Sequence, residues 1–141
     1  PEDCFDLEKS HFLPAAIRKL HEAEEESKVE FWGTGEPLRQ QLFVDDLCQA
    51  IPALLDLHHS DDALIVAPDD QHTILEMIYL CRAMIGKELF IDFNGKLDGQ
   101  YRKDGSNKMF KELLPDFKFT SLGDGLEKTY EWYKESVYNR D

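Results

Sequence analysis

The chain has 141 residues, 29 acidic and 16 basic, for a net charge of −13, a length that suits one domain with a core of its own. Such an excess of negative charge is repelled by phosphate backbones and anionic membranes, which argues against nucleic acid as a partner. Apolar runs such as Ala63–Ala67 are far shorter than the roughly 20 residues needed to span a bilayer.

No secretory leader pattern opens the chain at Pro1. Pro1 in place of an initiator Met reads as a fragment or a trimmed product. The three cysteines, Cys4, Cys48 and Cys81, are odd in number and widely spaced. They form neither a disulfide framework nor a metal motif, and a reducing cytoplasm is the expected setting.

In chain order, Ser10 is placed to cap a helix running through Glu25, with Pro14 in its first turn. Leu13, Ala16, Ile17 and Leu20 form one apolar stripe on that helix. Val29–Trp32 reads as a short strand, and Gly33-Thr34-Gly35-Glu36-Pro37 as a turn. Gln40–Phe43 looks extended. A second helix follows, with a stripe of Val44, Leu47, Cys48, Ile51, Leu54 and Leu55, and a kink is expected at Pro52. Ala63–Ala67 is a candidate buried strand. Thr73 and Glu76 make a capping box for a third helix that ends at Gly86. Leu89–Phe93 is another strand, and the polar loop Asn94–Gly105 follows. A short helix begins near Ser106, and a last helix near Ser121 carries Leu122, Leu126, Tyr130, Tyr133 and Val137 on one side. Short strands alternating with amphipathic helices predict an α/β layer arrangement over 1–141, with no internal linker.

Several patterns invite chemistry. Gly33-Thr34-Gly35 lacks the third glycine of a dinucleotide fingerprint, and Pro37 stands where the phosphate-binding helix should begin, so it reads as a turn. Tyr130 and Lys134 share the spacing of a dehydrogenase Tyr/Lys pair, but Tyr130 lies on an apolar stripe and reads as core. His58, His59, Asp61 and Asp62 sit at a helix end and turn, and no metal is expected there. His11 is in the first turn of the first helix, where an imidazole able to donate and accept protons would suit acid–base work, although by spacing alone a surface or capping histidine is the commoner reading. Arg39 follows Trp32 across the turn, and Lys96, Arg102 and Lys103 gather in one loop. A planar aromatic, a guanidinium and a basic loop are what a nucleoside diphosphate requires, and the equal alternative is that these cations only solvate two loops.

Taken together, these segments resemble the C-terminal substrate domain of the extended short-chain dehydrogenases (NAD(P)-binding, Rossmann-like), most closely that of the GDP-L-fucose synthase family. Ser10-His11-Phe12-Leu13-Pro14 is similar to the family's His-x-x-Pro helix. Phe31-Trp32-Gly33-Thr34-Gly35-Glu36-Pro37-Leu38-Arg39 is similar to its Trp-Gly-x-Gly-x-Pro-x-Arg turn. Val44-Asp45-Asp46 matches the Val-Asp-Asp element, and Lys96-x-Asp98-Gly99-x-x-x-Lys103 the loop before the last two helices. The departures are Lys19 where some members have Arg, Gln41 for an aromatic residue, Leu97 for a common Pro, and Pro68-Asp69-Asp70 for a glycine-bearing segment.

The resemblance implies an NADP-dependent oxidoreductase and epimerase converting GDP-4-keto-6-deoxy-D-mannose to GDP-L-fucose. It implies that His11 is the acid that protonates the enolate, beside the nicotinamide, and that Lys19, Trp32, Arg39, Asp98 and Lys103 hold the GDP portion. It also implies that NADP is bound mainly by an N-terminal half absent here, that the parent is a homodimer, and that this chain is inactive alone. The rival readings are another nucleotide-sugar epimerase or reductase, and a non-catalytic module that binds sugar nucleotides.

Overall fold

A computed structural model describes residues 2–57 and 61–138; the His58–His59 pair weighed above lies outside them. The first helix, α1, spans Phe12–Glu22 rather than 10–25. Ser10 is held in a preceding turn by its N–H bond to the Asp6 carbonyl (2.8 Å), so His11 becomes the N-cap, with no capping bond from its side chain. At the other end Ala23 is extended, and Ser27 closes a turn onto the Glu24 carbonyl. Pro14 sits in the first turn, where a missing N–H removes no helical bond. The inward residues Ala16, Ile17 and Leu20 are essentially inaccessible.

Strand β1 (Lys28–Phe31) alternates, with Val29 and Phe31 facing inward. It pairs in parallel with β4 (Phe90–Phe93), Lys28 opposite Phe90 and Phe31 opposite Phe93. Parallel strands need a long crossover, and here two helices supply it. The second of them, α3 (Ile74–Ile85), has both halves of the Thr73/Glu76 capping box and ends at Gly86 in the left-handed region, φ 79°. Helix α1, α3 and α5 (Leu122–Ser136) close over this ribbon. Ile17, Leu20, Val29, Ile78, Leu126 and Tyr133 are central to the core between them. Tyr130 lies in that core as expected, its hydroxyl 2.9 Å from His21 Nδ1, and Lys134 sits over its ring.

A second, three-stranded sheet holds the site. Strand β2 (Leu38–Arg39) runs between β3 (His72–Thr73), antiparallel, and β5 (Arg102–Lys103), parallel. The short helix α4 (Lys108–Leu113) follows and buries Phe110.

Two expectations fail. Helix α2 (Val44–Leu57) runs on through Pro52 and turns Asp46 and Ala50 inward. Val44, Ile51 and Leu55 of the supposed core stripe are exposed, Leu55 to 74%. The cause is tertiary: Asp46 accepts bonds from the Thr120 N–H (2.8 Å) and hydroxyl (2.7 Å), which fixes the helix's rotation. Ala63–Ala67 forms no strand. The amide side chains of Asn107 and Gln40 take the carbonyls of Ala67 and Pro68, where a ladder would have supplied backbone donors. No described helix is long and apolar enough to cross a membrane. The three cysteines are unpaired.

Candidate functional site

Because β1 and β4 are parallel and in register to their last residues, the chain leaves both at the same end. The turn after β1 and the basic loop after β4 therefore emerge side by side, the usual place for a ligand in α/β proteins. Gly33 and Gly35 have φ near +85° and +83°, which L side chains rarely adopt. A Cβ on Gly35 would lie 2.6 Å from the Phe93 ring. The turn also seats α3, whose first N–H groups, on Ile74 and Leu75, bond the carbonyls of Pro37 and Gly35.

The two loops are clasped together by Asp98, which accepts from the Thr34 N–H (2.9 Å) and hydroxyl (2.6 Å). Those two bonds hold the Asp98 carboxyl below its ordinary range, with Arg39 adding a smaller pull. Trp32 Nε1 donates to the Leu97 carbonyl at 3.0 Å, and Lys96 stands 4.6 Å over the indole. The indole is 64% exposed, so most of its surface remains open to a planar partner.

Beyond the turn, the register of the second sheet aligns three side chains across three strands. His72 is opposite Arg39 on β3, and Lys103 is opposite Arg39 on β5. Two like charges directly opposite each other are unfavourable by themselves. Arg39 Nη1 donates to the Leu38 carbonyl (2.6 Å) and more weakly to that of Tyr101 (3.4 Å), neither of which offsets its charge. The Lys103 side chain has no hydrogen bond or ion pair among the described residues. The neighbouring Arg102, in contrast, is paired with Asp104.

Arg39 and Lys103 both line a cavity of about 610 Å³, as does His11 at the start of α1. Apolar walls come from Ile17 of α1, Ile74 of α3 and Leu126 of α5, with Phe43 between. Three of the predicted site residues are thus brought to one cavity. The other three are not among its lining: Asp98 serves as the clasp, Trp32 caps the loop junction, and Lys19 bonds the Glu30 carbonyl and lies over the Phe31 ring. Sequence reasoning noticed Gln41 only as a departure from the family pattern and found no signal at His72, since only the strand register makes His72 a neighbour of Arg39. No described group of His, Cys, Asp and Glu could hold a metal ion.

The sequence matches the NAD dependent epimerase/dehydratase family over residues 2–66. It is 38% identical over 151 residues to GDP-L-fucose synthase 1 of Arabidopsis thaliana, covering 99% of this chain and 44% of that protein. The GDP-L-fucose synthase of Escherichia coli is 30% identical over 96% of this chain and 46% of its own length. A crystal structure of the Naegleria fowleri GDP-L-fucose synthetase bound to NADP superposes with a TM-score of 0.90, at 26% identity, over 98% of this chain and 44% of that one. The chain therefore spans less than half the length of these relatives. The fold is that of the C-terminal part of an extended short-chain dehydrogenase. Within that class, the chain is similar in sequence to GDP-L-fucose synthases along nearly its whole length.

Proposed function

We propose that this chain is the sugar-nucleotide-binding part of an NADP-dependent epimerase and reductase that makes GDP-L-fucose from GDP-4-keto-6-deoxy-D-mannose. The observation that carries the reading is the pair of opposed cations, Arg39 and Lys103, at a cavity of a protein whose net charge is −13. An anion bound between them would turn their mutual repulsion into two charge-assisted contacts. The diphosphate of a sugar nucleotide is such an anion. The exposed face of Trp32 suits the base, and Lys19 and Asp98 complete the set expected to surround the GDP portion. His11 is the proton donor to the enolate, its side chain free of other hydrogen bonds among the described residues.

NADP would supply the hydride for the reduction. The residues here do not build its phosphate site, because Gly33–Gly35 leads into Pro37 and β2 rather than into a helix. In this reading the cofactor is held mainly by residues outside this chain, with His11 the residue here that lies beside its ring. The parent protein is a homodimer in the cytoplasm, where free cysteines persist. The acidic charge disfavours nucleic acid and anionic membranes as partners.

Calorimetric titration with GDP, UDP and dTDP tests this. The expected result is preferential GDP binding that falls by about tenfold to a hundredfold in Arg39→Ala, the usual worth of a charged hydrogen-bonding partner. Equal binding of the three nucleotides, or binding indifferent to Arg39 in a folded variant, would overturn the assignment.

A further inference from the structure

Resting on that reading of the site, we propose that Gln41 selects for the sugar of the bound nucleotide by hydrogen-bonding its hydroxyls. Strand β2 ends at Arg39, and Gln40 and Gln41 follow it on the way to α2. Gln40 is turned away from the cavity: its amide donates to the carbonyls of Pro68 (2.8 Å) and Gly105 (3.3 Å), and its oxygen accepts from the Gly105 N–H (2.8 Å). Arg39 and Gln41, on either side of it, both face the cavity.

The polar groups lining that cavity divide cleanly. Thr120 is bonded to Asp46, Ser121 to Asp124, and Thr129 to the Gly125 carbonyl. Asp3 accepts from the Cys4 N–H. Among the described residues, the side chains of His11, Gln41 and Lys103 have no such partner, and Arg39 retains unused donors. Two of these four are permanent cations and suit phosphate oxygens. His11 has the role already given. Gln41 is the neutral member, half-buried, with two donors and an acceptor left without a protein partner. Adjacent hydroxyls of a hexose, each able to donate and accept, match that donor–acceptor pair.

The test is calorimetry with GDP and with GDP-mannose, a GDP-hexose, on the intact chain and on Gln41→Met, which keeps the side-chain length and removes the amide. Gln41→Ala and thermal melts serve as the check on folding. The expected result is a roughly tenfold loss for GDP-mannose, a loss of under about twofold for GDP, and unchanged melting temperatures, since no internal bond is removed. Equal losses for both ligands would mean that the amide reads the diphosphate, and the proposal falls. So it does if neither affinity changes, or if the substitutions unfold the chain, because the amide then has a structural duty. If the unaltered chain binds neither ligand, the reading of the whole site fails with it. If it binds GDP with no gain from the mannose, only the role of Gln41 fails.

Discussion

Asp46 is 3% exposed and sits on α2, yet it is bonded to a residue 74 positions later, at the entry to α5. Replacing it with Ala strands the Thr120 N–H and hydroxyl and leaves a void at the helix junction. Hydrogen bonds to charged groups are worth about 1.5–3 kcal/mol each before the cost of burying the carboxylate is subtracted. A net loss of about 3 kcal/mol is expected, or roughly 10 °C in melting temperature for a chain of this size. Asp46→Asn keeps the shape and one acceptor and should cost about 1 kcal/mol. Thr120→Ala removes only the hydroxyl partner. Urea unfolding of the single and double variants gives the coupling between the two sites, expected at about 1 kcal/mol or more. Additive effects, or a cost below about 1 kcal/mol for Asp46→Ala, would refute the claim that this contact sets the rotation of α2.

Gly35→Ala should lose more than about 2 kcal/mol, from left-handed strain plus the approach to Phe93, whereas Gly95→Ala, also at positive φ but with open space around it, should lose only about 1; denaturant midpoints decide. In native chain, Cys4 and Cys48 should react with a thiol reagent and Cys81 should not, because burial pushes its thiol up to about 12; fast labelling of all three would contradict this. Burial, and then Lys87, holds the His21 imidazole below its ordinary value. As pH falls through that range the unfolded chain takes up the proton first, so stability is lost on acidification below about pH 6.5, by at most about 1.4 kcal/mol per pH unit. His21→Phe should flatten that dependence in urea titrations between pH 5 and 7.5.

Local chemistry made much of this fold legible. The Thr73/Glu76 box, the Gly86 stop and the Ser121 start are decided by a few neighbouring residues, and each stands where the sequence puts it. What failed was decided at a distance. The apolar stripe of α2 satisfied the helical period, but Asp46 was already committed to Thr120 and turned the stripe outward. Ala63–Ala67 had the composition of a strand and no neighbouring strand to pair with. The same divide runs through the site. Arg39 and Lys103 could be noticed singly as cations in loops, whereas their opposition across β2 and β5 is a matter of register. The resemblance gave Asp98 as one of the residues around the GDP portion; that its carboxylate ties two loops together depends on Thr34, 64 residues away.

The parallel pairing of β1 and β4 also bears on how the site comes into being. Lys28 meets Phe90 across a separation of 62 residues (90 − 28). Contacts that close so long a segment come with a loop-entropy cost that local helices do not meet, and they slow the search for the native state. The glycine turn and the basic loop become neighbours only when that closure is complete. During synthesis, α1 and the turn leave the ribosome long before β4 exists, and for that interval the future cavity is missing one of its charged walls. The cavity is therefore completed late and all at once, and cutting the crossover before that closure would leave it unformed without touching a single residue that lines it.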